Sequence, residues 1–325
     1  MIEKIKAVVI GHAIGDALGV PVEFASRAEL DNAPVTEMEG HGTYPVPAGA
    51  WSDDTSMSLC TMDALIKYGL DYDRIMVNFG KWYYNDEFTP MGEMFDVGNT
   101  CSTAIENYVV YKKHYTMCGL NGERDNGNGS LMRIHPMVLY LANRDMPLQA
   151  KMDIIHTTSA LTHAHMRAKI ACGIYAFVLW EILSHDWTML HLEAIRRGLS
   201  KARRFYSGNP ELVHFMKLFH QIADIDKLSV SNPKLAEQLP KLKRSDIHSD
   251  GYVVNTLEAA IWCVMKSSSY KDCVLKAVNL GDDTDTVAAV AGGLAGALYG
   301  YEAIPQEWKD VLIKRDYIEE LCSNL

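Results

Sequence analysis

The chain has 325 residues, of which 48% are hydrophobic and 22% charged, and it carries a formal net charge of −10. This balance fits an ordinary globular chain with room for a large core, while the acidic excess argues against nucleic acid or a membrane surface as partner. Seven scattered cysteines with no C-x-x-C pair argue against a disulfide framework or a zinc site and point to buried thiols in a reducing cytoplasm.

The first residues lack the basic start, apolar block and small-residue cleavage site of a signal peptide. No run of about 18 or more apolar residues suggests a membrane span. Periodicity near 3.6 predicts a first helix over 3–19, ended by Gly19 and Pro21. It carries Gly11, Gly15 and Gly19 at four-residue spacing, which puts them on one face. Each interior glycine costs roughly 0.5–1 kcal/mol against alanine, so the spacing predicts a face against which another backbone packs closely. Asp16 lies inside this helix and Glu23 just beyond it.

A Pro/Gly-rich irregular segment over 24–52 leads to Trp51-Ser52-Asp53-Asp54-Thr55, at the start of a predicted helix over 54–68. Taken alone this cluster reads as a helix cap, since Ser, Asp and Thr suit the positive end of a helix. Helices are predicted over 72–84 and 99–111, separated by Phe95-Asp96-Val97-Gly98-Asn99-Thr100, itself readable as a turn and an N-cap. The irregular segment 112–130 ends in Asn126-Gly127-Asn128-Gly129-Ser130-Leu131-Met132-Arg133. A Gly-rich loop entering a helix offers backbone N–H groups to an anion, although Asn-Gly is also common turn chemistry.

Helices are predicted over 131–143, 147–159, 162–184, 187–203 and 210–223. His163 and His165, two residues apart in Thr162-His163-Ala164-His165, do not share a helical face, so one of them as a substrate donor is favoured over a joint metal site. The stretch 225–250, with Lys241, Lys243 and Arg244, reads as a solvated excursion. Helices follow over 252–267, 270–280 and 285–299. The last is opened by Gly281-Asp282-Asp283-Thr284-Asp285-Thr286 and carries Gly292, Gly296 and Gly300. Three aspartates in four residues exceed what capping needs and repel one another. Burial requires a cation, and hard oxygen donors suit Mg²⁺ or Mn²⁺. With few period-2 runs, the chain reads as an all-α fold: one compact orthogonal helical domain over 1–325, with a metal-containing central cleft.

The order G-D-A-L-G, W-S-D-D-T, F-D-V-G-N-T, G-N-G-S-L-M-R, T-H-A-H, S-D-G-Y-V-V-N-T-L-E-A-A (249–260), G-D-D-T-D-T resembles the ADP-ribosylglycohydrolase family over roughly residues 7–300, and its arginine-directed branch most. The resemblance implies two Mg²⁺ or Mn²⁺ ions held by Ser52, Asp53, Asp54, Asp283, Asp285 and Thr286. It implies Asp96 and Glu23 as catalytic carboxyls. It implies Gly127, Asn128, Gly129, Ser130 and Met132 in the loop that holds the diphosphate and distal ribose, His163 lining the cleft and Tyr252 at its rim. Ser52 stands where many members carry Thr, and Asp282 where many carry Gly.

The implied activity is hydrolysis of the bond between ADP-ribose and a protein side chain, arginine above all, releasing ADP-ribose. Asp96 would serve proton transfer at the leaving guanidinium, and Glu23 would be a second acid–base group. The alternatives are another ADP-ribose linkage (serine, polymer or small molecule) or a non-catalytic binding or structural member of the fold.

Overall fold

The structure, a computed structural model, describes residues 1–184, 191–223 and 242–325. Among them it is all-α. No strand forms, and extended pairing is confined to two isolated bridges, Leu120 with His163 and Gly127 with Tyr252.

The helices are α1 (Ile2–Gly19), α2 (Arg27–Asn32), α3 (Asp53–Tyr68), α4 (Tyr72–Asn85), α5 (Asn99–Val109), α6 (His135–Ala142), α7 (Leu148–Ala160) and α8 (Met166–Ser184). They continue as α9 (His191–Phe205), α10 (Met216–Ala223), α11 (Val253–Met265), α12 (Tyr270–Val278), α13 (Thr284–Tyr299), α14 (Gln306–Val311) and α15 (Arg315–Asn324).

The predicted helices recur with shifted ends. The helix expected over 131–143 begins only at His135, with Pro136 in its first turn, where the missing N–H is harmless. Residues 129–133 instead form turns. The helix expected over 162–184 begins at Met166. Residues 210–215 wind as a 3₁₀ segment before α10. The segment 24–52 is less irregular than expected, because α2 starts on a capping box in which Ser26 and Glu29 satisfy each other's backbone N–H groups. Helices α14 and α15 were not anticipated. The first residues of the helix expected over 187–203 and the excursion over 225–241 fall outside the described residues. Within the rest of that excursion Arg244 is not simply solvated, for it pairs with Asp31 and bonds the Asn279 carbonyl.

The centre of the fold is an antiparallel pair, α1 and α13. Both are buried nearly all round, the property of a core helix rather than an amphipathic surface one. Helix α1 is long and apolar enough to cross a membrane, yet 83% of that window is buried inside the protein. The glycine faces meet. A Cβ placed on Gly11 would lie 2.6 Å from the Gly292 oxygen and 3.3 Å from the Gly296 Cα, and Gly15, Gly19 and Gly296 abut the backbones of Ala288, Asp285 and Ala7. Gly300 instead ends α13 at φ +87° with open space beside it. Tyr270 on α12 clips the seam by donating to the Gly11 carbonyl at 2.7 Å. Because the helices run antiparallel, the end of α1 lies against the start of α13, and Thr284 Oγ1 donates to the Gly19 carbonyl at 2.8 Å.

Candidate active site

Asp16, buried in α1, organises the start of α3. Its carboxylate accepts from Ser52 N at 2.9 and 3.1 Å, Thr55 N at 3.1 Å and Thr55 Oγ1 at 2.6 Å. Ser52 is the N-cap of α3 and accepts from Asp54 N at 3.3 Å. Opposite, Thr286 Oγ1 on α13 donates to Asp54 Oδ2 at 3.3 Å. Two helix N-termini, each a positive dipole end, thus face one volume. Within it Asp16, Asp54 and Asp285 each offer an oxygen within 4.8 Å of the others, as do Glu23, Asp96 and Asp285. Asp53 accepts from Gly98 N at 3.4 Å, tying the first cluster to the segment that carries Asp96.

Loop strain brings Glu23 here. Phe24 and Asp282 both sit in the left-handed region, at φ 67° and 63°. They are joined by Phe24 N to Asp282 O at 2.7 Å and Asp282 N to Ala25 O at 2.8 Å. Glycine adopts this conformation most readily, and aspartate tolerates it better than most side chains. Position 282 is where relatives were expected to carry glycine, and its backbone supplies the reason.

The electrostatics are severe. Burial raises Asp16 to about 6. Burial, then Asp96, then Asp283 and Asp16, raise Glu23 to about 8, against a hydrogen bond from Tyr44. Asp53, Asp54 and Asp285 are pushed well above the carboxylate range by burial first, and then by a neighbouring carboxyl, Asp96 for Asp53, Asp16 for Asp54 and Glu23 for Asp285. Glu23 Oε2, Asp54 Oδ1 and Asp283 Oδ1 are buried without any hydrogen-bond partner, an arrangement that is costly unless a cation completes it. The donor set is all oxygen, which fits a hard divalent cation.

The Gly-rich loop lies alongside. Asn128 Nδ2 donates to Asp283 Oδ2 at 2.8 Å and to Thr256 Oγ1 at 3.0 Å. Asn128 N donates to Gly251 O, and Val253 N to Asn126 O, both at 3.0 Å, fixing Tyr252 beside Gly127. Among the described residues, the amides of Gly127, Gly129, Ser130 and Leu131 donate to no backbone carbonyl outside regular helices. Two expected loop residues have their side chains engaged away from the cleft. Met132 is buried in the core, and Ser130 Oγ accepts from Ser159 Oγ at 2.9 Å. A Cβ on Gly127 would lie 3.5 Å from His163 Nε2, so His163 backs the loop. His165 turns elsewhere, 3.7 Å from Glu123.

Two residues absent from the sequence-derived set belong to the site. Asp16 read only as a helix-interior acid, although its place between Gly15 and Gly19 on a close-packed face was a signal. Tyr44 gave none. It lies in the Pro/Gly-rich segment, which Thr43 anchors by donating from its N to Pro21 O at 2.9 Å and from its Oγ1 to Glu23 O at 2.7 Å. Its ring packs on Phe95, with centroids 5.0 Å apart, and its phenol favours the charged forms of Glu23 and Asp96. A phenol gives one proton and accepts another, so beside two carboxyls it suits one acid and one carboxylate.

The model of the ADP-ribosylglycohydrolase family matches residues 1–325. The chain is 34% identical to ADP-ribosylarginine hydrolase Tri1 of Serratia proteamaculans, covering all of this chain and 79% of that protein. It is 32% identical to the Pseudomonas putida protein of the same name, covering all of this chain and 78% of the relative. It is 29% identical to the ADP-ribosyl-[dinitrogen reductase] glycohydrolase of Rhodospirillum rubrum, over 92% of this chain and 86% of that one. A solved structure described as an ADP-ribosylglycohydrolase-related protein complex superposes with a TM-score of 0.77 at 28% identity, over 99% of this chain and 96% of its own.

Proposed function

The chain belongs to the ADP-ribosylglycohydrolase family, and from that premise we propose that it hydrolyses the N-glycosidic bond between ADP-ribose and a protein arginine, in the cytoplasm. The observation that carries the reading is the closure of Asp16, Asp54 and Asp285 around one volume, beside the Gly-rich loop, in a chain that resembles two ADP-ribosylarginine hydrolases. Ser52, Asp53, Asp54, Asp283, Asp285 and Thr286 would hold two Mg²⁺ or Mn²⁺ ions. When bound, such ions neutralise the carboxylates and act as Lewis acids toward ribose oxygens.

The chain's own groups account for the remaining steps. The amides of Gly127, Gly129 and Ser130 would cradle the diphosphate, and Tyr252 would flank it. The ribose C1–N bond breaks through an oxocarbenium-like state, for which a carboxyl pair is the usual apparatus. In this reading water adds to C1 and loses a proton to the carboxyl pair, Asp96 serves proton transfer at the departing guanidine nitrogen, and Glu23 is the second acid–base group. Tyr44, beside the pair, would favour one acid and one base.

The test is hydrolysis of ADP-ribosyl-arginine with Mg²⁺, with Mn²⁺ and after exhaustive chelation, beside a serine-linked substrate. The expected result is arginine-selective release of ADP-ribose that chelation abolishes and either metal restores. Undiminished turnover in chelator, or faster cleavage of the serine linkage, overturns it.

A further inference from the structure

Arg133 follows the Gly-rich loop and is 0% exposed, yet its hydrogen bonds go to neutral oxygens. Its guanidinium donates to the Thr158 carbonyl at 3.3 Å and, through Nη2, to Thr162 Oγ1 at 2.7 Å. It lies 4.8 Å from the centre of the Phe79 ring, and its Nε has no acceptor. A buried cation without an anionic partner is expensive, so packing alone does not account for its place here.

Its contact leads to the cleft. Thr162 Oγ1 is 2.9 Å from His163 Nδ1. The backbone around them is fixed: Leu120 N donates to Thr162 O at 2.9 Å, Ala164 N to Leu120 O at 2.7 Å, and Ser159 Oγ to His163 O at 3.1 Å. Guanidinium only donates, so the threonine hydroxyl must accept from it and has its own proton to place. The Nδ1 lone pair accepts that proton with every group satisfied. In the opposite tautomer the hydroxyl would accept twice, and its proton would be left with the Cys101 sulfur, a weak acceptor.

We propose that Arg133 is a positioning residue: through Thr162 it fixes His163 in the Nε2–H tautomer, so that the imidazole donates to an oxygen of the nucleotide diphosphate sugar at the Gly127–Gly129 loop. The inference rests on the function proposed above for the identity of the ligand, but not for the tautomer. Burial and Arg133 also push His163 down to about 3, so the ring stays neutral and one nitrogen carries the proton.

Truncating a buried arginine threatens the fold itself, so the test falls on Thr162. Protein labelled with ¹⁵N-histidine, with His163 assigned from the signal lost in His163→Gln, reports the tautomer by long-range ¹H–¹⁵N correlation without any ligand. The expected wild-type result is a protonated Nε2 and a bare Nδ1. In Thr162→Val the proton appears on Nδ1, and the Kd for ADP-ribose rises about tenfold, the size of one neutral hydrogen bond. Thr162→Ser restores both readouts, which mere loss of packing volume would not allow. A wild-type Nδ1–H tautomer, or an unchanged tautomer in Thr162→Val, overturns the proposal. Correct tautomers in a protein without affinity for ADP-ribose would overturn the functional reading and leave the relay standing.

Discussion

The seam between α1 and α13 makes a quantitative prediction at Gly15. An alanine Cβ there would lie 2.6 Å from the Ala288 carbonyl carbon and 2.9 Å from the Ala289 nitrogen, and closer still to the Ala288 oxygen. Nonbonded carbons rest about 3.5–4.0 Å apart, and all three neighbours are backbone, so the helices must part by about 1 Å. Overpacking on this scale costs about 3 kcal/mol, and alanine's better helix propensity offsets about 1 kcal/mol. The net loss is therefore about 2 kcal/mol, or roughly 4 °C in Tm for a chain of this size. Gly98→Ala is the control, since nothing lies within 4 Å of its Cβ position and its φ is −70°. It should match wild type or gain slightly. Parting the helices also moves Asp16 away from Asp285, so the Tm gain on adding Mn²⁺ should shrink in Gly15→Ala. Thermal unfolding with and without Mn²⁺ measures both effects. A Gly15→Ala protein as stable as wild type would refute the close-packed seam.

Other sites are as specific. Asp282→Gly should stabilise the metal-free protein by about 1 kcal/mol in urea titration, because glycine removes the left-handed backbone penalty at φ 63°; a loss of stability would count against that account. Tyr44→Phe should lower kcat about tenfold with little change in KM, because the phenol that favours the charged forms of Glu23 and Asp96 is lost, and an unaltered kcat–pH profile would dismiss that role. His156, whose Nε2 lies 2.8 Å from Tyr206 Oη, is lowered to about 4 by burial. With a depressed folded pKa, its contribution is complete above about 6.5 and is lost as pH falls toward 4. The stability gap between wild type and His156→Gln should therefore narrow by at most about 2 kcal/mol between pH 7 and pH 5, and a widening gap would contradict the assignment.

Much of this architecture was legible because it rests on periodicity. Four-residue glycine spacing announced a close-packed seam before any partner was known, and the two acidic helix starts announced a cation. What could not be read depended on neighbours distant in sequence. Asp16 looks like any helix-interior acid until Ser52 and Thr55 arrive to bond it. Tyr44 sits in a segment without periodicity and gains meaning only from the two carboxyls that converge on it. Helix α2 is a different case. Its Ser26 and Glu29 spelled out a capping box, but six residues carry too little hydrophobic pattern to stand out from the loop around them. Helix α6 starts late because residues 129–133 turn first, and the helix takes over where Pro136 can enter it.

The seam also sets a schedule. Gly11 meets Gly292, so a helix made among the first residues finds its partner only after almost all of the others have been synthesised. At roughly 5–20 residues per second, α1 emerges from the ribosome tens of seconds before α13, with its apolar surface uncovered in the meantime. Contacts this remote in sequence slow folding. The acidic pocket, walled by the end of α1 and the start of α13, cannot exist on a nascent fragment that lacks α13. A chain truncated before α13 would lose the site together with the burial of the α1 face that packs on it, and it would become a client for chaperones rather than a smaller enzyme.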